Sequence, residues 1–302
     1  MLSKPKLMKK ELLYAVIAMI LLGSCKKDHS SGNTPPPDGK KYTVTFTVGN
    51  IVKLTAAVKK LKVNATNDTL KKYVSKLTYL VYNSSGSLIN QAVQDTTTAG
   101  FGIISNSFAP GTYTVVFVAN TNVNLVGSGT LSTDNFPVNP NIEVFYSKVS
   151  ITVTSSGITQ TVILNRLLTQ LRLLSTNNVP ANIDSLRVTI PDNNSFLCST
   201  GAPAANSSYM RTITHTFLPA EKGQANFLLP ILNYSVHTPF TVKIQQYSSG
   251  AFSPLITINN VTCLSNQITV LRGNVFASGI PSQPTDFQLT FDPNWNITNG
   301  TF

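Results

Sequence analysis

The chain has 302 residues, 12% of them charged and 42% hydrophobic, with a formal net charge of +11. That apolar content at low charge argues against disorder over most of the length, and abundant Thr, Val, Asn and Ser suit strands and turns better than long helices. The charge is local: residues 1–24 carry +3, residues 25–76 carry +8 and residues 77–302 balance to zero. Nucleic acid is therefore not the expected partner, since no known binding module or aromatic-basic pattern accompanies the excess.

At the N-terminus, Lys4, Lys6, Lys9 and Lys10 precede the eleven-residue apolar run Leu12–Leu22, well short of the ~20 residues a spanning helix needs. A basic segment, a short apolar core and small residues before a cut define a secretory signal. The sequence Leu22-Gly23-Ser24-Cys25 resembles the lipobox of a bacterial lipoprotein, which implies cleavage between Ser24 and Cys25 and lipidation of Cys25. Acyl chains bury methylenes at ~0.8 kcal/mol each, so several would anchor the chain durably. An ordinary signal with a cysteine at its cut is the alternative. Residues 25–41, with Ser, Gly, Asn and a Pro triplet, read as a flexible tether. Its lysines can meet anionic head groups at ~1 kcal/mol each. Lys26, Lys27 and Asp28 match only in part the acidic export signal of Bacteroidota-type surface lipoproteins, so the membrane face stays open.

Beyond the tether, alternation of period two predicts a strand at Tyr42–Val48. Residues 52–63 fit either strand or helix, and Asn67 can cap a short helical turn through Leu70 and Tyr73. Leu77–Tyr82 is the clearest strand, turning at Asn83–Gly86 into Ser87–Ile89 as a hairpin. Pro110-Gly111 turns into a strand ending at Asn120, and Phe145–Thr154 turns back at Ser155–Gly157 into Ile158–Leu164. Leu167–Leu174 is dense in leucine, but its place directly after a strand predicts continued extension. Further strands are expected at Ser185–Ile190, Arg211–Phe217, Gln224–Leu229, Phe240–Tyr247, Ser253–Ile258, Gln267–Val275 and Asp286–Phe291. Many short strands without a long amphipathic helix indicate an all-β protein built of β-sandwiches. The domain boundary is placed near Asn165, giving 42–165 and 166–302.

Of three cysteines the lipid takes one. Cys198 and Cys263 either pair in an oxidising compartment or lie apart as two buried thiols. No enzymatic pattern emerges: Gly127-Ser128-Gly129 lacks the nucleophile-elbow frame and reads as a turn, and there is no phosphate or dinucleotide loop. His29, His215 and His237 stand isolated. The acidic residues form no catalytic pair, and Asp192–Asn194 reads as a turn rather than a calcium loop. Neither catalytic residues, metal nor cofactor is expected.

Four blocks in order resemble the fimbrillin superfamily and, within it, the anchor subunits of type V pili. They are Leu77–Leu88, Ala109–Asn120, Val162–Arg166 with Leu171–Leu173, and Ile268–Phe276 with Phe291–Trp295. The resemblance implies two tandem transthyretin-like β-sandwich domains, lipid attachment at the outer membrane, and stalk subunits as partners joined by strand-mediated contacts. Stalk members of the family lose their first strand to an arginine-specific protease. Here the first arginine is Arg166, and Lys40-Lys41 is a different kind of site. A retained first strand fits a basal anchor better than a polymerising stalk, and it shifts the expected joining surface to the second half, through an edge strand or residues 286–302. Two other functions compete. One is a carbohydrate-binding surface lipoprotein, for which Tyr209, Tyr234, Tyr247 and Trp295 are the available aromatics. The other is a stalk or tip adhesin.

Overall fold

The alternating segments fold as strands, seen here in a computed structural model that describes residues 39–51, 70–120, 129–137, 139, 141–204, 209–234, 239–276 and 287–292. Ser24, Cys25, His29, segment 52–63, Asn67, His237 and Trp295 lie outside the described residues.

In the first half, β1 (Tyr42–Ile51) buries Val44, Phe46 and Val48 completely on one face. β2 (Lys76–Tyr82) and β3 (Leu88–Asp95) form the expected hairpin, whose turn is fixed by Asn83 Oδ1 accepting the N–H groups of Ser85 and Ser87. β4 (Ile103–Phe108) and β5 (Gly111–Asn120) flank the Pro110 corner; β6 (Asn135–Pro137) is short; β7 (Val144–Val153) and β8 (Ile158–Arg166) follow. Seven strands make one sheet in the order β3-β2-β5-β7-β8-β1-β4. It wraps around a core of Phe46, Leu77, Tyr79, Phe101, Phe117, Phe145 and Leu164. Its two ends meet through Gln94 on β3, whose amide donates to the Ile103 carbonyl at 2.8 Å and accepts the Gly102 N–H at 2.9 Å.

The hairpin expected at Ser155–Gly157 differs in its pairing. β7 meets β8 only at Phe145↔Arg166 and Tyr146↔Asn165, while β8 runs parallel to β1 from Val44↔Ile158 to Ile51↔Leu164. The corner carries the chain across the core instead of straight back. Gly157 permits this, because a Cβ there would stand 2.9 Å from the Thr43 carbonyl oxygen, inside contact distance.

In the second half, β9 (Thr169–Ser175) confirms that the leucine-rich run is extended. β10 (Ser185–Pro191), β11 (Ser195–Leu197) and β12 (Met210–Thr216) precede a 3-10 turn at Pro219–Glu221. β13 (Leu228–Asn233), β14 (Phe240–Ser248), β15 (Ala251–Phe252), β16 (Ile256–Val261), β17 (Ile268–Gly273) and β18 (Gln288–Asp292) complete it. Two sheets face each other: β12-β10-β14, continued by β15 and β16 along β14, and β13-β9-β17-β18. Leu171, Leu173, Leu186, Val188, Val242, Ile244 and Leu271 fill the space between them. β13 begins later than its sequence pattern suggests, because Gln224 and Phe227 give their carbonyls to Val179, in the loop after β9, and to Ser175 at the end of β9. β16 is displaced likewise: Ser253 is drawn to Gln246, through both its N–H and its hydroxyl, before the ladder resumes.

A third apolar cluster lies between the halves and includes Leu80, Tyr82, Val116, Phe136, Tyr146, Leu168, Phe196 and Leu232. The small β6–β11 ladder, Ser195↔Pro137 to Leu197↔Asn135, stitches one half to the other there. Residues 39–302 accordingly form one compact unit.

Candidate assembly site

The first strand is held on both sides. β1 pairs antiparallel with β4 over Tyr42–Thr47 and parallel with β8 over Val44–Ile51. The Val48 N–H donates to the Gly102 carbonyl at 2.7 Å, and Phe46 packs its ring 5.2 Å from Phe117 and 5.9 Å from Tyr79. Such a strand is interior, so the slot it fills offers no open ladder to another chain. Lys40 and Lys41 are exposed just before it, with the Lys40 ammonium 5.5 Å from the Tyr42 ring centroid. Tyr42 sits beside Phe108, and Leu164 lies at the other end of the β1–β8 ladder, two residues before Arg166. The chain therefore enters β1 at the end of that ladder opposite the one from which β8 leads on to β9.

The sequence groups residues 25–76 as one basic segment, and the structure disperses part of it. Lys71, Lys72 and Lys76 lie where β2 begins, beside the end of β5, at the opposite end of the sheet from Lys40 and Lys41. Lys76 also pairs with Asp95 at 3.7 Å.

Buried polar groups fix the two halves to one another. Arg166, at the end of β8, donates to Asn266 of the second half at 3.1 Å and to Glu143 at 3.3 Å, with its guanidinium 5.2 Å from the Phe145 ring centroid. Burial raises the Glu143 carboxyl above its ordinary range against the pull of Arg166, and burial likewise lowers Arg166. Asp192 and Arg211 approach to 2.7 Å. Asp192 also accepts the Tyr234 N–H, and Tyr234 donates its hydroxyl to the Ile142 carbonyl in the first half. Arg211 reaches across the sandwich to the Leu232 carbonyl, so β12 and β13 are bridged at this end. The Asp192 turn expected from sequence is thus part of the junction, a role that pairing with a residue nineteen positions away conceals from any local reading.

The cysteines do not come together. Both are buried free thiols. Cys198 sits in the cluster between the halves, 3.1 Å from the Tyr82 hydroxyl, and its carbonyl accepts the Tyr146 hydroxyl at 2.8 Å. Cys263 lies in the second-half core. Burial pushes both thiols up to about 11. His215 is half-buried between the Phe217 and Phe227 rings with Nε2 3.0 Å from Glu221 Oε1. Among the described residues no three His, Cys, Asp or Glu side chains gather as a metal site would require.

In the second half, β12 and β13 each end a sheet. β12 and β13 border a cleft of ≈ 220 Å³ lined by Ile213, Leu229, Ile231 and Leu232. Pro230 deprives the β13 edge of one donor, whereas β12 contains no proline. β18 ends the other side of the β13-β9-β17-β18 sheet. Of the tyrosines singled out in the sequence, Tyr234 is buried and Tyr209 and Tyr247 are half-buried.

With this geometry in hand, comparison with known proteins is direct. A model of the fimbrillin-A associated anchor proteins Mfa1 and Mfa2 matches residues 31–300. No curated protein matches the chain in sequence. The fold is similar to that of the fimbrial anchor protein Mfa2 from Porphyromonas gingivalis, at 9% identity and a TM-score of 0.52, covering 85% of this chain and 98% of that one. It is also similar to a putative cell adhesion protein from Parabacteroides distasonis, at 12% identity and a TM-score of 0.51, covering 84% and 96%. A third likeness is to a putative cell adhesion protein from Bacteroides eggerthii, at 13% identity and a TM-score of 0.50, covering 86% and 97%.

Proposed function

The chain belongs to the family of fimbrillin-A associated anchor proteins Mfa1 and Mfa2, and from that premise we propose that it is the lipid-held subunit that fixes a fimbrial stalk to the outer membrane. In this reading Cys25 carries the lipid, residues 25–41 space the body from the bilayer, and the folded part meets the first stalk subunit. Among the described residues no helix is long and apolar enough to cross a membrane, and the proposed lipid supplies attachment without one.

The observation that carries the proposal is the integration of β1, paired along both edges and buried through Val44, Phe46 and Val48. A subunit whose first strand stays in place keeps its body covalently tied to the tether that precedes that strand. The outer strands of the first-half sheet meet through Gln94, whereas β12, β13 and β18 end their sheets in the second half. The joining surface is accordingly assigned to second-half strand edges or residues 286–302, where an added strand gains backbone hydrogen bonds and side-chain register together.

Deleting the gene tests the role. Fimbriae should be shed into the medium or change in length while stalk synthesis continues, and Cys25→Ser should reproduce the shedding and abolish acyl labelling. Normal cell-attached fimbriae in the deletion strain would refute the reading.

A further inference from the structure

The outward face of the β12-β10-β14-β16 sheet has a chemistry that anchoring does not use. Inward positions of these strands carry the core residues Val188, Ile244 and Ile258, and alternation sends their neighbours to the other face. That face is paved with hydroxyls: Thr189 and Thr212 meet across strands at 3.1 Å. Two cations stand within it, Arg187 on β10 and Lys243 on β14. Because Thr189 lies opposite Lys243 and Gln245 opposite Arg187, the cations are diagonal neighbours, about 7–8 Å apart at their backbones.

The four strands contain no acidic residue. Neither Arg187 nor Lys243 pairs with a carboxylate among the described residues. The Arg187 guanidinium lies 4.0 Å from the Phe252 ring centroid, and Phe252 in turn packs 4.9 Å from Tyr247. Stacking of this kind fixes the guanidinium plane and leaves its edge to bind a planar anion. Phe252 remains 43% exposed at the rim.

We infer that this face is a binding site for an anionic polysaccharide. The two cations take its carboxylates or sulfates, the threonine hydroxyls bond to its sugar hydroxyls, and the Phe252–Tyr247 pair supplies an apolar edge for a pyranose ring. Charge complementarity selects an acidic polymer over a neutral one. The flat array of short hydroxyl side chains and the aromatic rim select a glycan over an acidic protein, which needs a deeper apolar centre. The inference stands apart from the anchoring role, since it uses neither the tether nor a strand edge.

Titration calorimetry of the full chain in detergent at physiological ionic strength tests it, with polygalacturonate, dextran sulfate, neutral dextran and single-stranded DNA as probes. Polygalacturonate or dextran sulfate should bind, neutral dextran should not, and whichever of the two binds more tightly identifies the anion. Residues 26–76 attract any polyanion, so the deciding arm is the double variant Arg187→Gln/Lys243→Gln. Loss of two charged contacts should weaken binding at least roughly tenfold with an unchanged melting temperature, and Phe252→Ala should weaken it to a smaller extent. Undiminished binding by the double variant, no binding of either acidic polymer, or an equal loss of DNA binding in the double variant would overturn the assignment.

Discussion

Cys198 is enclosed by Tyr82 and the β6–β11 ladder, and Cys263 by the second-half core, so neither thiol reaches the other or the solvent. Burial pushes both up to about 11, which leaves almost no thiolate at neutral pH. Alkylation of the native protein should therefore spare both, unfolding should expose both, and a non-reducing peptide map should contain no Cys198–Cys263 link; rapid labelling of either thiol in the folded state would contradict this. The buried carboxyls carry a second prediction at this scale. Burial raises Glu143 from an ordinary 4.5 and Asp192 from 3.8, with Arg166 and Arg211 pulling the other way. A carboxyl with a raised folded pKa binds its proton more tightly when folded. Its contribution to stability is complete below the ordinary value and fades as pH rises through the folded one. The urea midpoint should thus lose ground from pH 3.8 toward neutrality through these groups, and Glu143→Gln should flatten part of that slope. An identical pH profile in the variant would show that Glu143 does not titrate as argued.

At the scale of elements, β1 is where sequence and structure agree and then part. Alternation through Val44, Phe46 and Val48 identifies the strand and its buried face, because a one-sided strand has a period of two whatever it pairs with. The same alternation is silent about partners, and parallel pairing with β8, more than a hundred residues later in the chain, was not legible. The short strands β6, β11 and β15 were invisible for a related reason: two or three residues carry no periodicity, and their pairing is set by the surrounding fold. The junction was equally hidden, since Asp192, Arg211 and Arg166 acquire meaning only through distant partners. What was legible was the dominant element type and the first strand with its buried face. Phe46→Ala should cost about 3–5 kcal/mol, as truncation of a fully packed aromatic does. Trypsin should cut the native protein at exposed Lys40 and Lys41 while leaving β1 within the sheet. Release of the body from the preceding chain without loss of its melting temperature would confirm that the strand is held by its ladders rather than by the chain before it, and concurrent unfolding would refute this.

For the whole molecule, the question is whether the two halves act as one body. Only Leu167 and Leu168 separate β8 from β9, too short a connection to behave as a free hinge. Around it lie an apolar cluster containing Tyr82, Tyr146 and Phe196, the β6–β11 ladder, the Arg166–Asn266 hydrogen bond, and Tyr234, which links buried Asp192 to the Ile142 carbonyl. Breaking this junction would expose aromatic surface and strand the buried charges, a cost of several kcal/mol. Folding of either half alone is correspondingly disfavoured, and pull applied to the second half passes to β1 without an intervening swivel. Calorimetry should therefore record a single transition for the wild type, with van't Hoff and calorimetric enthalpies in agreement. Phe196→Ala, which empties the centre of the junction where Phe136 packs at 5.4 Å and Tyr146 at 6.2 Å, should lower the melting temperature and broaden or split the transition. Two separate transitions already present in the wild type would mean that the halves are independent and that the junction carries no load.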